Sequence, residues 1–278
     1  QSSRAGKDLI SNSTGSESTT TTRLQSFDSD GFTVGTNAEV NSNGHNIVAW
    51  NWKAGGSASS NSNGSITSSL SANTASGFSI VSFEGTGSNA TIGHGLSAAP
   101  EMVIVKNREN GNGLWLVYHA GIASDAETDY IHLESDNAAA DDNSAWNDTA
   151  PTSSVFSVGT SVASNQDGKD IIAYCFHSVK GYSKIGNYTG NYNVDGPFVF
   201  TGFRPAWVLI KSAVTNGYAW YIMDSTRTTH NGSQNWLSAN QTLAEDTSTG
   251  ENVDFLSNGF KIRTNWTRLN DSGSPNYI

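Results

Sequence analysis

The chain has 278 residues and a formal net charge of −10, and its 15 Lys and Arg residues are too scattered to form a basic stripe for nucleic-acid phosphates. The single cysteine, Cys175, excludes an internal disulfide framework, and no apolar run approaches the roughly 18 residues of a membrane span. Hydrophobic residues make up 36% of the chain and aromatic residues 10%, which predicts packed cores rather than disorder.

The first predicted elements belong to a sequence that recurs along the chain. Residues 32–52 open with Phe-Thr-Val-Gly-Thr and end with Asn-Ile-Val-Ala-Trp-Asn-Trp. Residues 156–176 open with Phe-Ser-Val-Gly-Thr and end with Asp-Ile-Ile-Ala-Tyr-Cys-Phe, and a third version runs from Phe260 to Ile278. Residues 100–106 also match 205–211, so one copy spans about 104 residues, the size of a small domain.

The repeat divides the chain into four parts. Residues 1–53 match the C-terminal half of a first copy, 54–77 are rich in Gly and Ser, 78–180 form a second copy, and 181–278 form a third copy whose last strand is incomplete. We therefore interpret the chain as a piece of a longer polypeptide. Gly/Ser composition predicts a flexible linker at 54–77, although Ile66 and Leu70 are suited to hold part of it against a surface. The second and third copies follow each other directly and are expected to pack side by side.

Short β-branched and aromatic runs, separated by Gly, Asn, Asp and Ser, predict β-strands, and no window has the apolar spacing of a helix. In the second copy the predicted strands are 78–83, 102–106, 114–118, 130–133, 155–158 and 171–176. In the third copy they are 182–188, 207–211, 219–223, 236–237 and 260–262. About six or seven short strands per copy, without crossover helices, predict an all-β fold made of tandem antiparallel β-sandwiches of the lectin-like kind.

The strand predicted at 171–176 has two unlike faces. Ile172, Tyr174 and Phe176 fall on one face by the period of two, and their counterparts in the first copy, at 48, 50 and 52, are equally bulky. The opposite face has smaller side chains, and the first copy has Asn51 where the second has Cys175. The bulky face is therefore predicted to be the core face.

Carboxylates and histidines form no recognisable catalytic or metal-binding motif. Glycoside hydrolysis needs two carboxylates that face each other across a cleft. The acidic candidates stand in Ser/Asn-rich loops and do not recur between copies; they are Asp125, Glu127, Asp129, Asp141, Asp142, Glu245, Asp246 and Glu251. The six histidines lack the spacing of a zinc site. Solvated loop charge is the favoured interpretation, calcium ligation is an alternative, and no catalytic residue, metal or cofactor is expected.

Aromatic residues are the better candidates for a binding site. Trp115 and Trp220 occupy matching positions and are expected in the core. Trp146 has no counterpart in the other copies and lies in a polar loop with Asp141 and Asp142. This combination suits stacking on a sugar ring while the carboxylates bond its hydroxyls. The alternative is a Trp that caps one end of its own sandwich.

Trp236 and Trp266 are further binding candidates. Trp236 replaces Leu9 of the first copy, and Trp266 replaces Ala38 and Val162 of the first two copies. Because the replaced residues are apolar, packing with an exposed edge is the favoured interpretation for both.

Several long motifs resemble those of a known group of proteins. Residues 93–108 read Gly-His-Gly-Leu-Ser-Ala-Ala-Pro-Glu-Met-Val-Ile-Val-Lys-Asn-Arg, and 115–119 read Trp-Leu-Val-Tyr-His. Together with 146–159, 172–176 and 195–205, they resemble the tandem β-rich repeats of tail-fibre-like proteins of marine bacteriophages, cyanophages included. The likeness covers nearly the whole chain except 54–77. It implies a virion surface protein, trimeric as fibres usually are, that touches the host, and it carries over no catalytic motif.

These observations predict a structural and adhesive virion protein, a tail fibre or related surface fibre. Its expected partners are host-surface polysaccharide, other virion proteins and further copies of itself, and its expected place is the virion surface. The lack of disulfides agrees with assembly in a reducing host cytoplasm. Two alternatives stay open: a purely structural fibre or capsid decoration protein without a ligand, and a tailspike that depolymerises polysaccharide.

Overall fold

The computed structural model describes residues 5–111, 113–228, 231–247, 253–272 and 277–278. These residues are mostly β, so the predicted all-β class is confirmed. Within the described ranges, helix is limited to single turns, and none of these turns is long and apolar enough to cross a membrane.

The first copy forms two small ribbons and a helical turn. Its elements are β1 (Lys7–Asp8), β2 (Ser18–Thr19), β3 (Leu24–Phe27), β4 (Phe32–Val34) and α1 (Ala38–Asn41). β1 pairs with β2 and β3 with β4, both antiparallel. The stretch 46–52, which matches a predicted strand of the second copy, is neither helix nor strand.

The second copy is built on one eight-stranded antiparallel sheet. Its elements, with two strands from 54–77, are β5 (Ser59–Asn61), β6 (Ser68–Asn73), β7 (Phe78–Glu84), β8 (Ala90–Gly93), β9 (Met102–Asn107), β10 (Trp115–His119), β11 (Asp129–His132), β12 (Ala140–Asp141), α2 (Asn143–Trp146), β13 (Val155–Val158), α3 (Val162–Asn165) and β14 (Asp170–Phe176). The strand order in the sheet is β12-β11-β10-β9-β14-β7-β6-β5, and β8 and β13 form a separate ribbon. Phe83 of the sheet contacts Phe156 of the ribbon, with ring centres 6.2 Å apart.

The segment 54–77 is not a flexible linker, because it supplies β5 and β6 to the large sheet. β6 pairs with β7 over five residue pairs, and both Ile66 and Leu70 are buried. Its glycines serve close packing: a Cβ on Gly55 would lie 2.0 Å from the Ala72 carbonyl oxygen, and one on Gly64 would lie 2.2 Å from that of Thr91. Gly/Ser composition therefore reflects close backbone approach and small buried side chains here, not chain freedom.

The core face of β14 is the opposite of the predicted one. Ile171, Ala173 and Cys175 are fully buried in the core that includes residues of the ribbon and the helical turns. On the predicted face Ile172 is 2% exposed but lies outside that core, and Tyr174 and Phe176 are half-buried. The bulk of this core comes from the other elements, such as Phe83 and Phe156, so β14 contributes small side chains there.

The third copy has two small sheets around a core of its own. Its elements are β15 (Phe198–Phe200), β16 (Trp207–Ile210), β17 (Tyr221–Asp224), β18 (Leu237–Ser238), β19 (Val253–Leu256), β20 (Gly259–Ile262) and α4 (Thr267–Asn270). The strand orders are β16-β17-β18 and β15-β20-β19. The prediction of a strand at 182–188 is wrong. Its counterpart β7 is held between two paired strands, β6 and β14, whereas 182–188 has no such pair of described strands beside it.

One side-chain hydrogen bond recurs at the end of a helical turn in all three copies. The Asn41 amide donates to the carbonyl oxygen of Gly35 at 2.8 Å, and Asn165 donates to that of Gly159 at 2.8 Å. In the third copy Asn270 donates to the carbonyl oxygen of residue 264 at 2.7 Å. Each bond fastens the last residue of α1, α3 or α4 to the segment that follows the preceding strand.

Candidate functional site

The sugar-stacking role predicted for Trp146 is not supported by its position. Its side chain is only 2% exposed, and its Nε1 donates to the Asp129 carbonyl oxygen at 3.1 Å. The ring packs edge-on against Tyr118 at 6.1 Å. Trp146 therefore takes the alternative role, a residue that closes one end of the second copy.

The two acidic residues predicted beside Trp146 lie at the surface. Asp142 caps α2, since its Oδ1 accepts the Ser144 backbone N–H at 2.8 Å. Asp141 is exposed and pairs with Asp129 across β11 and β12. Partial burial, with the nearby Asp125 and Asp141 carboxylates, raises the pKa of Asp129. These carboxylates and the buried Trp146 do not form a concave site.

Trp236 and Trp266 belong to the core of the third copy. Trp236 is 4% exposed and packs against Tyr221, with ring centres 4.8 Å apart, and against Trp266 at 5.9 Å. Trp266 is half-buried, and the Arg268 guanidinium covers its ring at 4.7 Å. Apolar packing, the interpretation favoured from the sequence, describes both residues.

No group of three His, Cys, Asp or Glu residues capable of holding a metal ion occurs in the ranges that the structure describes. His119 is buried, and burial lowers its pKa to about 4, so it is neutral and its Nδ1 accepts the Gly121 backbone N–H at 3.0 Å. Glu245 pairs with Arg227, which also bonds Asp224 at 2.6 Å. Glu251 lies outside the described residues.

Three tryptophans meet where the first copy contacts the third. The ring centre of Trp207 is 6.5 Å from that of Trp50 and 5.2 Å from that of Trp52. Trp52 is 45% exposed, and the Arg227 guanidinium lies 5.6 Å from the ring centre of Trp50. We call Trp50, Trp52 and Trp207 the tryptophan cluster.

A shallow cavity adjoins this cluster. It is lined by Trp52, Lys53, Ser76, Phe78, Phe176, Tyr182, Ser183 and Ile185. Phe78 and Phe176 lie against each other at 4.9 Å, and Tyr182 is 60% exposed. The cavity therefore combines the exposed aromatic faces of Trp52 and Tyr182 with the Lys53 ammonium group and the two serine hydroxyl groups. The sequence predicted a combination of this kind, a sugar site, around Trp146 instead.

Sequence reasoning missed this cavity because of the repeat. Trp50 and Trp52 match Tyr174 and Phe176, so they were interpreted as scaffold residues. In the structure, however, 46–52 is not a strand, and both indoles lie against Trp207 of the third copy, with Trp52 45% exposed.

The junction between the first and second copies centres on a buried lysine. Lys106 is fully buried, and its Nζ donates to the Thr14 carbonyl oxygen at 2.8 Å and to that of Gly113. Trp115 beside it donates from Nε1 to the Ser13 carbonyl oxygen at 3.2 Å. Nearby, the Arg108 carbonyl oxygen accepts the backbone N–H of residue 17 at 2.7 Å.

The junction between the second and third copies repeats this arrangement. Lys211, the counterpart of Lys106, is fully buried, and Trp220, the counterpart of Trp115, donates to the His132 carbonyl oxygen at 2.9 Å. The Ala213 carbonyl oxygen, at the position that matches Arg108, accepts the backbone N–H of residue 139 at 2.7 Å. Both junctions thus place a buried Trp against a backbone carbonyl group of the copy before, whereas the Nζ of Lys211 donates to the Ser212 carbonyl oxygen of its own copy at 2.7 Å.

The buried lysines predict how stability depends on pH. Burial lowers the pKa of Lys106 and of Lys211 to about 8, below the value near 10.5 of an unfolded chain. Between these values the unfolded chain binds more protons, so the free energy of unfolding should rise with pH from about 8 to 9.5. Urea unfolding across this range measures the slope, and it stays below the range in which tyrosines ionise.

The control for this prediction is a set of Lys→Met variants. Lys106→Met combined with Lys211→Met should abolish the rise and leave the smaller, opposite slope of Cys175, since burial raises the pKa of its thiol from 9.0 to about 12. Lys184→Met, at an exposed position, should leave the rise unchanged. A slope that stays the same in the double variant would show that the two lysines do not cause it.

Comparison with known proteins identifies a family but no function. No curated protein and no solved structure matches the chain. The family described as a domain of unknown function, DUF7483, matches residues 3–278, almost the full length. The chain therefore belongs to the DUF7483 family.

Proposed function

We propose that this chain is a structural module of a virion surface fibre, built from tandem antiparallel β-sandwich repeats, and that it assembles as a homo-oligomer, by preference a trimer. The observation that carries the proposal is the repeated junction: Trp115 and Trp220 each donate an indole N–H to a carbonyl oxygen of the copy before, and the matching carbonyl oxygens of Arg108 and Ala213 each accept a backbone N–H from that copy. Equivalent contacts between consecutive repeats are the way in which tandem-repeat proteins form stiff bodies.

The sandwich description applies best to the second copy. The ribbon of β8 and β13, with α2 and α3, covers one face of the eight-stranded sheet and encloses its core. The proposed second layer is much smaller than the first, so the proposed sandwich is an unequal one. In the third copy the two three-stranded sheets would form the two layers, around Tyr221, Phe255 and Phe260.

The adhesive part of the proposed function is contact with host-surface glycan at the cavity beside Trp52. Exposed Trp and Tyr faces stack on the apolar face of a pyranose ring, and neighbouring polar groups bond its hydroxyls. Trp52 and Tyr182 supply such faces, and Lys53, Ser76 and Ser183 supply polar groups around them. Weak sites of this kind gain strength when they are repeated on an oligomer.

Binding of the purified chain to bacterial surface glycans and whole cells, with released reducing ends assayed in parallel, tests the function. The proposal expects retention without new reducing ends. New reducing ends would instead support the depolymerase, and neither signal would support the fibre without a ligand. Antibodies against the chain should also decorate the surface of particles that carry it, and failure to do so would contradict a virion fibre.

Trp52→Ala and Tyr182→Ala test where the glycan binds. Each variant should weaken retention by about tenfold, or about 1.4 kcal/mol, since it removes an aromatic face on which the sugar ring stacks. The melting temperature should hardly change for Tyr182→Ala, at a side chain 60% exposed, and should fall slightly for Trp52→Ala, whose ring is 45% exposed and packs against Trp207. Phe200→Ala, at an aromatic residue 64% exposed elsewhere, is the matched control and should retain glycan normally. Equal retention by all three variants would remove the cavity as the binding site.

A further inference from the structure

The exposed lysines without an ion pair lie on the two segments that line the cavity beside Trp52. The chain has eight lysines, of which two are buried at the junctions and three pair with a carboxylate, namely Lys7, Lys169 and Lys261. The other three are exposed and form no ion pair with any described residue: Lys53, Lys180 and Lys184. Lys53 lines the cavity, and the other two lie on either side of Tyr182 and Ser183 in the sequence, which also line it. An acidic chain thus gathers these ammonium groups on the segments around one cavity.

The segment 179–184 begins with a hydrogen-bonded turn. The Val179 carbonyl oxygen accepts the backbone N–H groups of Tyr182 and Ser183 at 2.9 and 3.0 Å, and the Val179 N–H donates to the Ser183 carbonyl oxygen at 3.0 Å. Gly181 within the turn has a φ of +79°, a conformation that glycine adopts without strain. The turn therefore fixes the backbone of the two residues that line the cavity and of the lysines that flank them.

Carboxylates contribute little to the electrostatic field at this cavity. Lys53 is the only charged residue among the described residues that line it. The Glu101 carboxylate accepts the backbone N–H of Ser178, just before the turn, and this bond offsets part of its charge. The Debye length is about 8 Å at physiological ionic strength, so more distant carboxylates are largely screened. The cavity is therefore locally positive although the net charge of the chain is −10.

Three unpaired ammonium groups select among the sugars that could stack on the aromatic faces. The hydroxyl groups of a neutral sugar need only hydrogen bonds, which serine hydroxyls also supply. An anionic group gains an additional attraction of about 1 kcal/mol at about 4 Å even in a water-like medium, which corresponds to about fivefold in affinity. Carboxylate, sulfate and phosphate are the anionic groups that sugars carry, and all three accept hydrogen bonds from ammonium groups.

We propose that the cavity beside Trp52 binds an acidic glycan, a polysaccharide whose sugar units carry a carboxylate, sulfate or phosphate group. Trp52 and Tyr182 stack on a sugar ring, and the Lys53 ammonium pairs with the anionic group of that ring. Lys180 and Lys184 attract anionic groups on the neighbouring units of the polymer. This inference rests on the proposed contact with host-surface glycan and adds the chemical class of the ligand.

Two pairs of polymers test the class of ligand. Polygalacturonate and the same polymer after reduction of its carboxylates to alcohols differ in charge alone, and the acidic form should be retained at least about tenfold more strongly. Raising the ionic strength from about 0.01 M to about 0.15 M shortens the Debye length from about 30 Å to about 8 Å, which should weaken retention of the acidic polymer only. Dextran sulfate and dextran repeat the comparison for sulfate, and the pair with the larger difference identifies the preferred anionic group.

Lysine variants of the full chain test the site. Lys53→Gln should weaken retention of the acidic polymer by about fivefold, and adding Lys180→Gln and Lys184→Gln should reduce it to that of the neutral polymer. Lys53→Arg keeps the charge and should retain normally. Lys169→Gln, at an exposed lysine that pairs with Glu109, makes the same change in net charge and is the matched control. All these positions are exposed, so melting temperatures should hardly change.

Three results would overturn the inference. One is equal retention of the acidic and the neutral polymer of each pair, and another is retention of neither acidic polymer. The third is an equal loss in Lys53→Gln and Lys169→Gln, since it would show a general effect of net charge. The proposed glycan contact fails separately. It stands if neutral polymers bind through Trp52 as strongly as acidic ones, and it fails if neither whole cells nor any of the four polymers are retained.

Discussion

Trp146→Ala is expected to lower the free energy of unfolding of the chain by about 3–5 kcal/mol, the range for replacing a buried Trp or Phe by Ala. The side chain is 2% exposed, and its removal opens a cavity beside Tyr118. It also leaves the Asp129 carbonyl oxygen without the indole N–H that bonds it. Urea unfolding followed by tryptophan fluorescence and by circular dichroism measures the loss.

Asp142→Ala is the control for the same turn. It removes only the cap of α2 and should cost about 1 kcal/mol. Under conditions in which both variants remain folded, neither should change glycan retention, because neither lines the cavity beside Trp52. If the Trp146→Ala chain kept its normal stability but lost glycan binding, the result would support the sugar-stacking role that the sequence predicted for Trp146.

The difference between prediction and structure at Trp146 has a local cause. Polar neighbours such as Asp141 and Asp142 indicate a loop, and that part of the prediction agrees with their exposure. The sequence did not reveal α2, a single helical turn that directs Trp146 inward into the core between the sheet and the ribbon. A four-residue helix is too short for hydrophobic periodicity to detect.

Strand positions were predicted better than strand surroundings. The alternating runs of β7, β9, β10, β11, β13 and β14 all overlap predicted strands, because period-two patterning is local. β6 was missed since its only strong apolar residue is Leu70, and its place in the sheet depends on pairing with β7. The core face predicted for β14 was the wrong one because the size of the side chains on one strand depends on the elements that complete the core. Here other elements supply the large side chains, Phe156 among them.

The candidate site shows the limit of reasoning from repeats. A residue that recurs was assigned to the scaffold, which is correct for Trp115 and Trp220, both buried at junctions. The same rule misplaced Trp50 and Trp52, which are half-buried and 45% exposed, because burial depends on the elements that pack against a residue and not on its recurrence alone.

Asn165→Ala should be among the most destabilising single changes outside the apolar core. Asn165 is fully buried, its amide donates to the carbonyl oxygens of Ser88 and Gly159 at 2.6 and 2.8 Å, and its Oδ1 accepts the Thr86 N–H at 2.9 Å. Alanine would leave the buried Gly159 carbonyl oxygen without a partner and would remove the bonds to Thr86 and Ser88, which lie at exposed positions, so a loss of about 2–3 kcal/mol is expected. Equilibrium unfolding in urea provides the measurement.

The other copies and an isosteric variant provide the controls. Asn270→Ala should cost about as much, since Asn270 makes the same three bonds, to Asn193, Thr264 and Asn191. Asn41→Ala, at an exposed residue with one such bond, should cost less than about 1 kcal/mol. Asn165→Asp keeps the acceptor but turns a carboxylate oxygen toward two carbonyl groups, so it should be at least as harmful as alanine. If Asn41→Ala and Asn165→Ala lowered the free energy of unfolding equally, burial of the amide would contribute nothing. The hydrogen bond to the segment after the preceding strand would then account for the whole loss.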